Sequence, residues 1–269
     1  MADLCVDGAV RDARLEDAST VWTASTTNPA RWDYAPPPAL RPRARRFTTT
    51  GEIRVTWGSV QEPISILAAV NFFAAGGGRV EEAGLQPFET TSYAADYARK
   101  YPGLPLLGAS PDAIVRWPDG RAEVIEVKNH APFGYDDNRA RQKSSRFTLR
   151  DPGPFNEVAV WHMPQLQMEM LCLGPECTSA IFMSCSATRG IAVLRVHRDE
   201  ELLELMLAHI ERFAQEHRDR PPPDDFFWAD PAHRRLLDRL LSASRDVEFV
   251  ATINPDDVQR AAEAPWFLD

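Results

Sequence analysis

The chain has 269 residues, a formal net charge of −9 and hydrophobic residues at 44% of positions, the profile of a globular protein able to bury a sizeable core. No apolar run approaches a membrane span, and Met1-Ala2-Asp3-Leu4-Cys5 lacks the basic start and apolar stretch of a secretory signal, so an intracellular setting (cytoplasm or nucleus) without membrane partners is expected. The acidic balance argues against a protein that coats nucleic acid indiscriminately, since such proteins are basic, but it leaves local basic patches to be considered.

In chain order, residues 1–56 are weakly patterned: a helical start near Asp12–Thr20, the run Pro36-Pro37-Pro38 and the basic cluster Arg41-Pro42-Arg43-Ala44-Arg45-Arg46 describe an N-terminal extension. Trp57 to Pro63 opens a helix whose apolar positions Ile64, Leu67, Ala68, Ala69 and Phe72 recur at helical spacing until Gly76-Gly77-Gly78 stops it. Ser59 and Glu62 have the spacing of a capping box, which is one reading of Glu62. Residues 79–91 fit an incoming strand, and 93–100 a short polar excursion.

Ala109-Ser110-Pro111-Asp112 leads into two apolar runs, 112–117 and 121–128, separated by Pro118-Asp119-Gly120. That is a hairpin signal. A three-residue loop sets Asp112 opposite Glu126, and a two-residue loop sets it opposite Val127. In both registers carboxylates from the two strands meet beside Lys128, with Glu126 and Lys128 on one face and Val127 on the other. Adjacent carboxylates take up protons unless a cation separates them, and all-oxygen ligands suit Mg²⁺ or Mn²⁺. An ammonium group two residues on is then placed to hold a water for attack on a phosphodiester. The plain rival is a surface hairpin with an ordinary Glu–Lys pair.

Residues 129–156 read as a long polar loop carrying Arg139, Arg141, Lys143, Arg146 and Arg150, a second basic patch suited to a nucleic-acid backbone. Val158 to Leu173 is amphipathic and ends at Gly174, with Pro164 either starting or kinking the helix and with Gln165 and Glu169 sharing a face. Two alternating runs, 178–187 and 191–197, form a second hairpin, and Asp199 caps a helix over 200–217. After Pro221-Pro222-Pro223 the pattern changes to an acidic, aromatic segment with a short helix at 232–243. The chain thus divides into an extension at 1–56, a core at 57–217 and a C-terminal extension at 218–269. Cys5, Cys172, Cys177 and Cys185 read as buried thiols, the alternative being an iron–sulfur centre.

Ser110-Pro111-Asp112 followed by Glu126-Val127-Lys128 resembles the PD-(D/E)XK nucleases, and in particular the YqaJ-like, lambda-exonuclease-type branch, although Ala113 stands where that branch has a glycine. Trp57-Gly58…Glu62 is similar to the start of the family's first core helix, Gln165-Leu166-Gln167 to its Gln-x-Gln helix, and Val21-Trp22-Thr23-Ala24-Ser25 to a segment that holds a DNA phosphate. The resemblance implies an α/β (α+β) restriction-endonuclease-like core, a central mixed sheet flanked by helices. It implies catalysis by Asp112, Glu126, Lys128, Glu62 and Gln165, with two Mg²⁺ or Mn²⁺ ions on Asp112, Glu126, Glu62 and the Val127 carbonyl. DNA contacts are expected at Ser25, Ser110, Arg139, Arg141, Lys143 and Arg146. The implied activity is 5′→3′ exonucleolytic hydrolysis of double-stranded DNA ends, leaving 3′ single-stranded tails for recombination or repair. A single-strand annealing protein and a homotrimer are its implied partners. The alternatives are a structure- or site-specific endonuclease of the same fold and a non-catalytic nucleic-acid-binding module.

Overall fold

The computed structural model describes residues 21–22, 49–88, 92–135, 147–217 and 231–263. In chain order these form β1 (Val21–Trp22), α1 (Thr49–Ala74), β2 (Arg79–Glu82), β3 (Gln86–Pro87), α2 (Ser92–Lys100), β4 (Leu106–Ala109), β5 (Ala113–Arg116) and β6 (Ala122–Asn129). There follow β7 (Phe133–Tyr135), β8 (Phe147–Leu149), α3 (Met163–Leu173), β9 (Cys177–Ser186), β10 (Gly190–His197), α4 (Glu200–His217), α5 (Pro231–Ala243), β11 (Val247–Ile253) and α6 (Pro255–Glu263).

Six strands form a mixed central sheet in the order β11-β10-β9-β6-β5-β2, in which only β6 and β9 run parallel. Those two central strands are buried almost throughout, and that burial takes in polar groups as well as apolar ones: Glu123 and Glu126 on β6, Ser179 and Ser184 on β9. Ala68, Ala69 and Phe73 of α1, with Ala261 of α6, cover one face of the sheet against Val115, Ile125, Val127 and Met183. Leu166 and Met170 of α3, Leu203 and Leu207 of α4, and Leu236 and Leu240 of α5 cover the other against Val124, Ala180, Phe182 and Leu194. The fold is therefore mixed α/β, a six-stranded sheet between helical layers. No helix among the described residues is long and apolar enough to cross a membrane.

Several elements depart from expectation. The first core helix begins at Thr49, ahead of Trp57, and carries Pro63 in its interior. Glu62 is consequently an interior helical residue rather than a cap, and the Ser59 hydroxyl donates back to the Val55 carbonyl at 3.2 Å. The strand expected over 79–91 is two short pieces in different sheets, because β3 leaves the central sheet to pair with β4. The polar excursion is helix α2, anchored where the Tyr97 hydroxyl donates to Glu200 at 2.6 Å. The loop after β6 contains the β7–β8 ribbon. At the other end, β11 pairs antiparallel with β10 and α6 packs beside α1, so residues 247–263 of the expected extension are built into the same sheet and core. The helical start near Asp12–Thr20 lies outside the described residues.

Candidate active site

The hairpin closes through a three-residue loop. The Trp117 amide donates to the Arg121 carbonyl at 2.9 Å, the Gly120 amide donates to the Trp117 carbonyl at 3.0 Å, and Gly120 adopts φ +89°, open to glycine at little cost. Of the two registers left open by the sequence, the pairing Ala113↔Ile125 selects the one that carries Asp112 toward Glu126. Asp112 lies just past the ladder. Its amide donates to the Ile125 carbonyl at 3.1 Å, and its Oδ2 accepts the Val127 amide at 2.7 Å, which fixes the carboxylate over the strand.

Val127 packs toward α1, whereas Glu126 and Lys128 face the α3 side and form an ion pair with each other. The Glu126 side chain is only 1% exposed and its Oε2 is buried without a hydrogen-bond partner. Asp112, Val127 and Lys128 open onto a cleft of about 620 Å³, whose wall also includes Glu62 and Arg54 from α1. Asn129, at the end of β6, ties α1 down beside it: its carboxamide accepts from the Ser65 hydroxyl at 2.8 Å and donates to the Gly58 carbonyl at 3.3 Å. Those bonds set where Glu62 stands.

From the opposite layer α3 brings Glu169, fully buried, whose Oε1 accepts from the Gln165 carboxamide at 2.8 Å while Oε2 has no partner. Burial pushes the Glu169 carboxyl up to about 8, and the Asp112 charge adds to the rise against the pull of Gln165 and Lys128. Burial likewise raises Asp112, opposed by Lys128 and the Val127 amide. Glu62 is raised by partial withdrawal from water and by Asp112, with Lys128 opposing. Acid groups from three elements thus converge around one ammonium group. Crowding out of water raises three of these carboxyls, a strain that a bound cation would relieve, with Lys128 and Arg54 the basic side chains in the cleft wall.

Ser110 is half-buried between β4 and Asp112 and does not line the cleft. Gln165 does not line it either and reaches the acid cluster only through Glu169. Gln167, the second glutamine of the motif, is a structural tie: it donates to the His197 carbonyl at 2.9 Å and accepts the Asp199 amide at 2.9 Å. Ser25, Arg139, Arg141, Lys143 and Arg146 lie outside the described residues. Glu169 and Asn129 were not singled out from the sequence as site residues; the available signals were the i, i+4 spacing of Glu169 from Gln165 and the position of Asn129 directly after Lys128.

Among the described residues no three His, Cys, Asp or Glu side chains form a ready-made metal shell. The donors present nevertheless fit Mg²⁺ or Mn²⁺, which are commonly held by one or two carboxylates and completed by water and phosphate oxygens. Asp112 and Val127, with its carbonyl, line the cleft and offer hard donors of that kind; Glu126 does not line it, and its Oε2, buried without a hydrogen-bond partner, is the further oxygen beside them. Cys177 and Cys185 are buried free thiols, and burial pushes both up to about 12; Cys172 is also free, and Cys5 lies outside the described residues.

The Glu169 shift has a sign that can be measured. A carboxyl raised in the folded state stabilises the fold below 4.5, its ordinary value, and that contribution is lost as pH rises to about 8. Glu169→Gln is expected to raise the Tm of metal-free protein at pH 8 relative to wild type while leaving it little changed at pH 4.5. An equal effect at both pH values would contradict the assignment. Compared with protein-family models, with curated proteins and with solved structures, the chain matches none.

Proposed function

We propose that the cleft is the active site of a metal-dependent deoxyribonuclease with a restriction-endonuclease-like core, acting as a 5′→3′ exonuclease on double-stranded DNA ends and leaving 3′ single-stranded tails for recombination or repair. The observation that carries this reading is the convergence of Asp112, Glu126 and Lys128 at the end of β6, with Glu62 on one side and the Gln165–Glu169 pair on the other. Asp112, Glu126 and the Val127 carbonyl would hold Mg²⁺ or Mn²⁺, two ions in all with Glu62 beside the second. Bound there, the ions supply charge neutralisation on the phosphate oxygens and a more acidic water.

The chain's own groups do the positioning. Lys128, anchored by Glu126, directs its ammonium protons at the attacking water. Asp112 is locked by the Val127 amide and keeps the carboxylate pair in register. Glu62 accepts from the water across the cleft, and Gln165 acts through Glu169 by orienting that carboxyl toward the cluster. No side chain is needed as a covalent nucleophile; orientation and electrostatics supply the rate. A trimeric assembly and a strand-annealing partner belong to the same proposal and rest on the resemblance of the Asp112 and Glu126-Val127-Lys128 motifs alone.

Purified protein with Mn²⁺ and a 5′-labelled linear duplex is expected to release label progressively while leaving covalently closed circular DNA intact. Cutting of the closed circle would instead select an endonuclease, and no loss of either substrate would remove the nuclease assignment.

A further inference from the structure

Side chains alternate along β6, so Glu126, Lys128 and then His130 succeed one another on one face. His130 lies just past the strand but continues its ladder, its amide donating to the Cys185 carbonyl at 2.9 Å. On the neighbouring strand Ser184 pairs with Lys128, and Lys128, His130 and Ser184 all line the cleft. The Ser184 hydroxyl, fully buried, accepts the Phe155 amide at 2.9 Å and lies 2.8 Å from His130 Nε2. An amide N–H can only donate, which leaves the hydroxyl's single proton for Nε2. Withdrawal from water holds the His130 imidazole below its usual range, against the pull of Asp151, so the ring is neutral and able to accept it.

The ring is gripped on its other sides as well. Phe155 packs edge-on against it with centroids 4.8 Å apart, and a Cβ placed on Gly153 would come within 3.2 Å of its Cδ2. Asp151 pins the segment that carries both residues, accepting from the Ser186 hydroxyl at 2.6 Å, the Thr188 hydroxyl at 2.7 Å and the Thr188 amide at 2.9 Å. His130 is therefore a fixed, half-buried ring beside Lys128 that the proposed reaction does not use. The Lys128 stem is flexible, and its ammonium group pairs with Glu126 on one flank. On the other flank stands the His130–Ser184 pair, a close neighbour because adjacent strands lie only about 4.8 Å apart.

We infer that His130 is a positioning residue: joined to Ser184, it forms a rigid flank that holds the Lys128 stem so that its ammonium group meets the cleft. The kinetic consequence rests on the nuclease reading, whereas the conformational one does not. The first measurement is steady-state hydrolysis of a linear duplex with Mn²⁺ by the full chain. His130→Leu and Ser184→Ala should each lower kcat by roughly 10- to 100-fold with KM little changed. Because the two act as one unit, the double variant should be no worse than the poorer single one. His130→Gln, whose amide oxygen can accept from Ser184 at similar reach, should recover most of the rate. Wild-type kcat in His130→Leu, losses that multiply in the double variant, or a His130→Gln variant as slow as His130→Leu would each overturn the inference.

The second measurement needs no DNA. Lysine occurs only at Lys100, Lys128 and Lys143, so reductive ¹³C-methylation yields few NMR signals, with that of Lys128 assigned by its loss in Lys128→Arg. In metal-free protein the Lys128 signal should move in His130→Leu and in Ser184→Ala and stay near its wild-type position in His130→Gln. A wild type that cuts no DNA but shows this pattern removes the nuclease reading and supports the flank. A Lys128 signal unmoved in both His130→Leu and Ser184→Ala overturns the flank and leaves the nuclease reading standing wherever wild type cuts.

Discussion

Lys128→Met is expected to lower duplex hydrolysis by roughly 10²- to 10⁴-fold, the usual range for losing a group that handles the reacting water or its proton. The same substitution removes the counter-charge of Glu126, a side chain only 1% exposed. Breaking a buried pair from one side costs about 3–5 kcal/mol, so the variant's urea midpoint should fall as well. Two further variants separate chemistry from folding. Lys128→Arg keeps the pair with Glu126 and most of the stability, yet its broad planar fork cannot reproduce a point ammonium donor, so hydrolysis stays low. Adding Glu126→Gln to Lys128→Met removes the stranded charge and should recover stability without recovering activity. Full activity in Lys128→Met would end the assignment.

Gly190→Ala is expected to destabilise the protein by roughly 2–5 kcal/mol, through a residue forced into the left-handed region and a core forced apart. Gly190 opens β10 at φ +85°, and a Cβ placed there would lie 2.1 Å from the Ile253 carbonyl oxygen and 3.2 Å from the Asn254 carbonyl carbon. Both atoms are backbone, so relief requires β11 to move off the edge of the sheet. Gly58→Ala makes the matched control. A Cβ on Gly58 meets nothing within 4 Å, and the position is helical, so that variant should be neutral or gain up to about 1 kcal/mol. Equal urea midpoints for Gly190→Ala and wild type would show that β11 yields freely.

The hairpin was legible in the sequence because Pro118-Asp119-Gly120 is a turn with a mechanism and its flanks are apolar enough to be strands. The choice of register was not, since loop length decides it and the Trp117–Arg121 and Ala113–Ile125 pairings show which loop forms. Asp199 was equally legible as a cap: its Oδ1 accepts the Leu202 amide at 3.0 Å at the head of α4. Pro164 falls in the first turn of α3, one of the two places open to it. The early start of α1 was hidden because Thr49, Thr50 and Gly51 favour no helix by themselves, and because Pro63 looks like a first-turn residue when read alone.

The edge strand β11 was missed for a different reason. Apart from the buried Ile253 its residues are half-buried or exposed, with Phe249 51% exposed, so Val247-Glu248-Phe249-Val250 lacks the clean alternation of a half-buried strand. Of the candidate site, the three residues of one hairpin could be brought together from spacing, whereas the spacing of Ser59 and Glu62 suggested a cap and only the resemblance pointed to Glu62 as a site residue. Glu169 could not, because its role depends on α3 lying across β6, a long-range packing fact that no local pattern encodes. Burial without a partner for Oε2 is what marks it.

Calorimetric titration of Mn²⁺ into metal-free protein tests the cation cradle most directly, with Asp112→Asn as the comparison because an amide oxygen can still accept the Val127 N–H and preserve the fold. Wild type is expected to bind the ion and gain Tm, and Asp112→Asn to fold normally while losing the binding heat. Wild-type protein that takes up no Mn²⁺, or an Asp112→Asn variant that binds it unchanged, would contradict the central claim.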